Sequence, residues 1–164
     1  MGLTHKMEVN AKSTRHSKIT VDFGEALVLY WLSKRGFECA RVDHTGIDLI
    51  ARRPRSKEIL GISVKSRSRK KGKETESINL LVKDDAKILS ACDAFHCEPY
   101  VAFVADQGQY IRCFLLRLTR ARRIIKASAL PMTDSAVLRY KKDSQIEFFE
   151  LESREGWPLL GLDN

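Results

Sequence analysis

The sequence predicts an α/β domain with a central mixed β-sheet flanked by helices. Three observations predict it. A segment of helical period over 22–36 comes first, three short extended segments separated by turn residues follow, and a second helical segment leads into a strand that is apolar on both faces. The chain has 164 residues, 43% of them hydrophobic, which suits one core and a single domain over 19–151. The polar, basic stretch 1–18 reads as a flexible arm and 152–164 as a tail.

In the first helix Asp22 suits the N-cap and Gly36 the stop. Phe23, Ala26, Leu27, Tyr30 and Trp31 recur at helical spacing as a core face, widened by Leu29 and Leu32. Extended segments are expected at 38–43, 47–52 and 58–66. Turn residues His44 to Gly46 and Pro54 to Lys57 join them into an antiparallel meander. After a basic loop, a second helix is expected over 83–95, with Asp84 and Asp85 at its positive end and Ile88, Leu89, Cys92 and Phe95 facing inward. A central strand over 100–105 turns at Asp106 into a hairpin partner over 110–116. Further on, a basic helix over 119–129 and a last strand over 145–151 are expected.

Composition excludes several classes. No apolar stretch reaches membrane-spanning length, so no membrane partner and a cytoplasmic location are expected. Cys39, Cys92, Cys97 and Cys113 form no CxxC pair and are expected as reduced core thiols, not zinc ligands. None of the four histidines sits in an activated-nucleophile context. The net charge of +8 is clustered in two runs, Lys65 to Lys73 and Arg117 to Lys126, which favours a polyanionic partner through counterion release.

Polar groups appear at four positions where the pattern predicts burial: Glu25, Asp48, Ser63 and Lys65. Asp48 lies among Ile47, Leu49 and Ile50, where an unpartnered carboxylate costs several kcal/mol. Strand alternation puts Ser63 and Lys65 on one face with Gly61 and Ile59, and Leu60, Ile62 and Val64 on the other. Pairing of the second and third strands brings Asp48 toward that face, and Glu25 can approach from the helix above. Two carboxylates and a lysine at a basic surface are what phosphodiester hydrolysis requires: acids for a hard divalent cation, an ammonium for the attacking water and the developing charge. Singly, the residues have plainer readings, a buried Asp48–Lys65 ion pair and a Glu25 that favours the helix dipole.

Gly24-Glu25 at a helix start, Gly46-Ile47-Asp48 on a strand and Ile62-Ser63-Val64-Lys65 on the next resemble the PD-(D/E)xK nuclease superfamily, especially its archaeal-type Holliday junction resolvases. The resemblance spans about 21–104 and implies a restriction-endonuclease-like three-layer core. It implies Asp48 as the central metal ligand for Mg²⁺, with Mn²⁺ as the alternative, the Val64 carbonyl as a further ligand, Lys65 beside the attacking water and Glu25 as the helix acid. It implies a DNA endonuclease and suggests a homodimer, while the basic run itself offers Arg67, Arg69, Lys70, Lys71 and Lys73 to the DNA backbone, with RNA as an alternative polyanion. The pattern departs at Ser63, where the superfamily carries an acid. Three explanations follow: the acid has moved, with Glu25 or Asp43 doing more; Ser63 ligates weakly; or the site is dead and the chain binds nucleic acid without cutting. A protein-interaction module with basic loops is the further alternative.

Overall fold

The structure, a computed structural model, describes residues 11–153. Four helices and eight strands run in the order α1 (His16–Lys34), β1 (Glu38–His44), β2 (Ile47–Arg52), β3 (Ile59–Ser68), β4 (Ile78–Asn79), α2 (Val82–Ala94), β5 (Glu98–Asp106), β6 (Tyr110–Arg117), α3 (Leu118–Ile124), β7 (Ala129–Leu130), α4 (Asp134–Lys142) and β8 (Glu147–Glu152). The main sheet has the order β1-β2-β3-β5-β6-β8. The expected meander and hairpin are present, and the parallel β3–β5 pair makes the sheet mixed.

Strand alternation sorts the apolar residues into two cores. On β5, Tyr100, Ala102 and Val104 pack against α1, while Val101, Phe103 and Ala105 pack toward α2, α3 and α4. The result is three layers, α1 alone on one face and the other helices opposite.

Helix α1 starts at His16, six residues before the expected N-cap, so Asp22 lies inside it and pairs with Lys18 at 3.5 Å. The part of 1–18 that is described is therefore not a loose arm: residues 16–18 are helical, and the Lys12 ammonium donates to the Ser68 carbonyl at 3.0 Å. Residues 1–10, and 154–164 of the expected tail including Trp157, lie outside the described residues. The core face of α1 is Gly24, Leu27, Val28, Trp31 and Leu32. Phe23 and Tyr30, expected in it, are 40% and 59% exposed. The helix is apolar nearly all round, so periodicity alone does not say which stripe the sheet covers.

Helix α2 matches its expected span within a residue, with Ile88 and Cys92 buried but Leu89 and Phe95 exposed. After β6 the chain departs further from expectation. Helix α3 ends at Ile124, β7 pairs with β4 in a separate two-stranded sheet, and α4 follows. The Thr133 hydroxyl caps α4 by accepting from the Ala136 N–H at 3.3 Å, and Tyr140 packs edge-on against Phe114.

Gly46 sets where β2 begins. Its φ is +112°, and a Cβ there would lie 2.2 Å from the Lys87 carbonyl oxygen of α2. The turn before Asp48 is thus pinned against a neighbouring helix backbone that has little room to give. Gly46→Ala is expected to destabilise the protein by about 1–3 kcal/mol through backbone strain and overpacking. Urea unfolding checks this as a lower midpoint at unchanged slope.

Candidate active site

Strands β2 and β3 pair in register from Arg52↔Ile59 to Leu49↔Ile62 and no further. Beyond that point the strands part. The Val64 N–H donates instead to the Asp48 carboxylate, at 2.6 Å. Strand β2 also departs from regular alternation here. Ile47 packs toward α2 and Leu49 toward α1, although a two-residue spacing would put both on one face. Asp48 sits at this irregular point, between the two layers.

That position lets it meet groups from both sides. Glu25 of α1 feels the charge of Asp48, and Asp48 feels that of Lys65 on β3. Glu25 stands in the middle of α1, since the helix begins nine residues before it, so an interaction with the helix's positive end does not account for it. Arg41 of β1 braces Glu25 at 3.4 Å and donates to the Asp22 carbonyl at 3.0 Å. Lys65 points toward the α2 layer, where its ammonium lies 3.9 Å from the Asp84 carboxylate. Asp84 in turn accepts from the Leu81 N–H at 3.1 Å, which fixes it in the first turn of α2.

The electrostatics follow from this placement. Burial raises the Asp48 carboxyl above its ordinary range, against the lowering effects of the Val64 N–H and the Lys65 charge. Glu25 is raised as well, first by burial and then by the charge of Asp48, with Arg41 opposing. Two neighbouring acids that resist ionisation form a site where a cation relieves both.

Among the described residues, no group of three or more His, Cys, Asp or Glu side chains is arranged to hold a metal ion. Ser63 is 3% exposed and neutral, so the carboxylates available at the splayed strand ends are those of Asp48 and Glu25. That donor set suits Mg²⁺, which is held by one or two carboxylates and keeps several waters. Asp43, the other candidate acid, is exposed on the edge strand β1. Asp84 lies in the first turn of α2 as expected, but the sequence does not foretell its pairing with Lys65, because that position already explains an acid and nothing local announces Lys65 as its neighbour.

The basic loop divides by role. Arg67, Lys70 and Lys71 are exposed. Arg69, expected on a phosphate backbone, is 9% exposed, and its guanidinium donates to the Glu76 and Ser77 carbonyls at 2.7 and 2.6 Å. It braces the loop. Lys73 pairs with Glu76 at 2.9 Å at the surface. The second basic run is largely neutralised within the fold, Arg117 by Glu58 and Glu98, Arg120 by Asp143 and Arg122 by Asp85. A hollow of about 700 Å³ lined in part by Glu58, Cys92, Cys97 and Arg117 lies at the other end of β3 and contains none of the candidate site residues.

No family model and no curated protein matches the chain. Solved structures do. One of them is Hjc, a Holliday junction resolvase from the archaeal hyperthermophile Archaeoglobus fulgidus, with a TM-score of 0.50 and 20% identity over 70% of this chain and 89% of that one. The restriction-endonuclease-like fold is the one shared with that resolvase. At that identity the likeness speaks for the fold alone. No helix among the described residues is long and apolar enough to cross a membrane.

A carboxyl raised on folding favours the folded state at low pH, and that stability is lost as pH rises through the folded-state value. Asn at position 48 keeps an acceptor for the Val64 N–H and removes the buried charge. Without divalent cations, Asp48→Asn is therefore expected to melt a few degrees above the wild type at about pH 7. The gap closes as pH falls below about 4, where the aspartate is neutral too. Thermal melts across pH check this, and Mg²⁺ is expected to raise the melting point of the wild type only.

Proposed function

We propose that the chain is a metal-dependent endonuclease that hydrolyses phosphodiester bonds in DNA, with branched DNA such as a four-way junction as its substrate. The observation that carries this reading is the convergence of Asp48, Glu25 and Lys65 at the parted ends of β2 and β3, with both carboxyls raised by burial. The fold shared with a Holliday junction resolvase supports it.

Asp48 and Glu25 would hold Mg²⁺ or Mn²⁺, with the Val64 carbonyl as a further ligand. When bound, the ion polarises a phosphate oxygen and makes a water more acidic. Asp48, anchored by the Val64 N–H, presents a carboxylate whose orientation is set before substrate arrives. Lys65 donates to the attacking water or a phosphate oxygen and offsets charge as water adds to phosphorus and the strand's P–O bond breaks. Asp84 holds the lysine. Arg67, Lys70 and Lys71 hold the backbone. Paired cuts on two opposed strands would use two copies of the chain.

One observation favours a second reading. The neutral, buried Ser63 leaves two carboxylates where the superfamily pattern has an additional acid, which suits a protein that binds DNA through this fold without cutting it.

Incubation with four-way-junction, linear and single-stranded DNA in Mg²⁺ or Mn²⁺ separates the readings. Endonuclease action is expected on the junction, with Asp48→Ala and Lys65→Ala each slowing it by about 100-fold or more. Cleavage that survives Asp48→Ala sinks the site, and binding with no cleavage in either metal selects the second reading. For affinity, the double substitution Lys70→Ala with Lys71→Ala is expected to flatten the slope of log affinity against log salt by about 2, one for each phosphate contact. Arg69→Ala is expected to lower stability more than it changes that slope.

A further inference from the structure

Helix α1 crosses the sheet at an angle. Its first turns stand over the ends of β3 and β5, where Ile19 and Phe23 share a cavity with Ser68 and Asp106, and its last turns reach β8, where Trp31 stacks on Phe149. A wedge is left between the start of the helix and the end of β8. The cavity, of about 190 Å³, lies at this wedge with Ile111 of β6 in its wall, and its surface is almost wholly apolar. The Asp106 carboxylate in the lining is already engaged, accepting from the Ser68 hydroxyl at 3.2 Å and the Gly108 N–H at 3.1 Å.

Large apolar side chains stand open around it. Ile19 is 52% exposed and Phe23 40%. The same surface continues onto β8, because Ile111 faces α1 and pairs with Leu151, which shares its face and that of Phe149 by alternation yet is 46% exposed. Neighbouring strands lie about 4.8 Å apart, so Leu151 is one strand from the cavity wall and roughly 10 Å from β5.

The end of the described chain indicates what covers this surface. Strand β8 stops at Glu152, opposite Tyr110, and the Ser153 N–H donates to the Gln109 carbonyl at 2.8 Å. The chain thus leaves the sheet at the β5–β6 turn, the same end as the cavity. Trp157 comes shortly afterwards and opens the run Trp157-Pro158-Leu159-Leu160, the densest apolar stretch outside the described residues. Extended chain from Ser153 to Trp157 spans about 13 Å, enough to return across β6 to β5. The segment 1–10, which arrives from the side of α1, has Leu3, Met7 and Val9 separated by polar residues and offers no comparable run. An apolar cavity of roughly 150 Å³ takes benzene, so this one has room for a single aromatic or branched side chain.

We infer that the cavity is the docking site of the chain's own segment Trp157 to Leu160, with Trp157 seated against Ile19, Phe23 and Ile111 and the leucines over Leu151. The inference goes beyond the nuclease reading and does not depend on it. Phe23 lies two residues before Glu25, so the docked segment braces the part of α1 that carries that acid.

The test uses the full chain, whose two tryptophans are Trp31 and Trp157. The emission lost on Trp157→Phe is that of Trp157 alone. Acrylamide is expected to quench it at least about threefold less than in the urea-unfolded chain. Ile19→Asp places a charge in the cavity wall at a position already half exposed, and is expected to abolish that protection while far-UV circular dichroism is kept. Phe23→Ala gives a second variant of the wall should Ile19→Asp disturb the helix. Trp157→Ala and Ile19→Asp are each expected to lower the melting point by about 3 °C, and the double variant to melt no lower than the weaker single one.

Trp157 quenched as freely as in urea overturns the inference. So does protection that survives both wall variants, or melting-point losses that add in full, since the segment then packs elsewhere. Protection that is lost on dilution from about 100 μM to about 1 μM assigns the segment to a second copy of the chain and overturns docking within one chain.

Discussion

At the start of β2 the Asp48 carboxylate takes the Val64 N–H in place of a strand carbonyl, at 2.6 Å, and the geometry of the candidate site depends on that bond. A sheet that continued its register would have sent Asp48 to one face only. By ending the ladder at Leu49↔Ile62, the fold leaves the carboxylate between layers, where α1 contributes Glu25 and β3 contributes Lys65. The bond satisfies a strand N–H that would otherwise be unpaired, so it is structural as well as chemical. Its cost is a buried carboxylate that resists ionisation, and such strain concentrates where proteins do chemistry.

Close packing of α1 on the sheet is the second requirement. Gly24 lets the helix approach Ser66, while Leu27, Val28, Trp31 and Leu32 fill the space farther along. Trp31 stacks on Phe149 of β8, with ring centroids 5.6 Å apart, which ties the helix to the last strand of the sheet. Glu25 therefore rides on a helix whose height and rotation are set by residues that do no chemistry. On the opposite layer α2 brings Asp84 to Lys65, so the lysine stands between acids from two layers.

Charge is distributed less simply than the sequence suggests. Of the two basic runs, the one after β6 is mostly spent on acids far away in sequence, Glu58, Asp85, Glu98 and Asp143. Within the loop after β3, Arg69 turns inward to hold carbonyls, and the outward positions are Arg67, Lys70 and Lys71. The surface left for a polyanion is narrower than the net charge implies, and it lies next to Lys65.

The sequence by itself determined the layered α/β core, the meander, the hairpin and the identity of Glu25, Asp48 and Lys65 as residues out of place in an apolar pattern. Those features are local: alternation, helical period and turn chemistry are written within a few residues. Tertiary structure alone decided which stripe of α1 is buried, that the helix reaches back to His16, that β4 pairs with β7, and that Asp84 meets Lys65. It also decided that Arg69 faces inward and that β2 turns irregular at Asp48. The physical reason is common to all of these. Each depends on a contact between segments far apart in the chain, where packing and the need to satisfy every buried polar group override local preference.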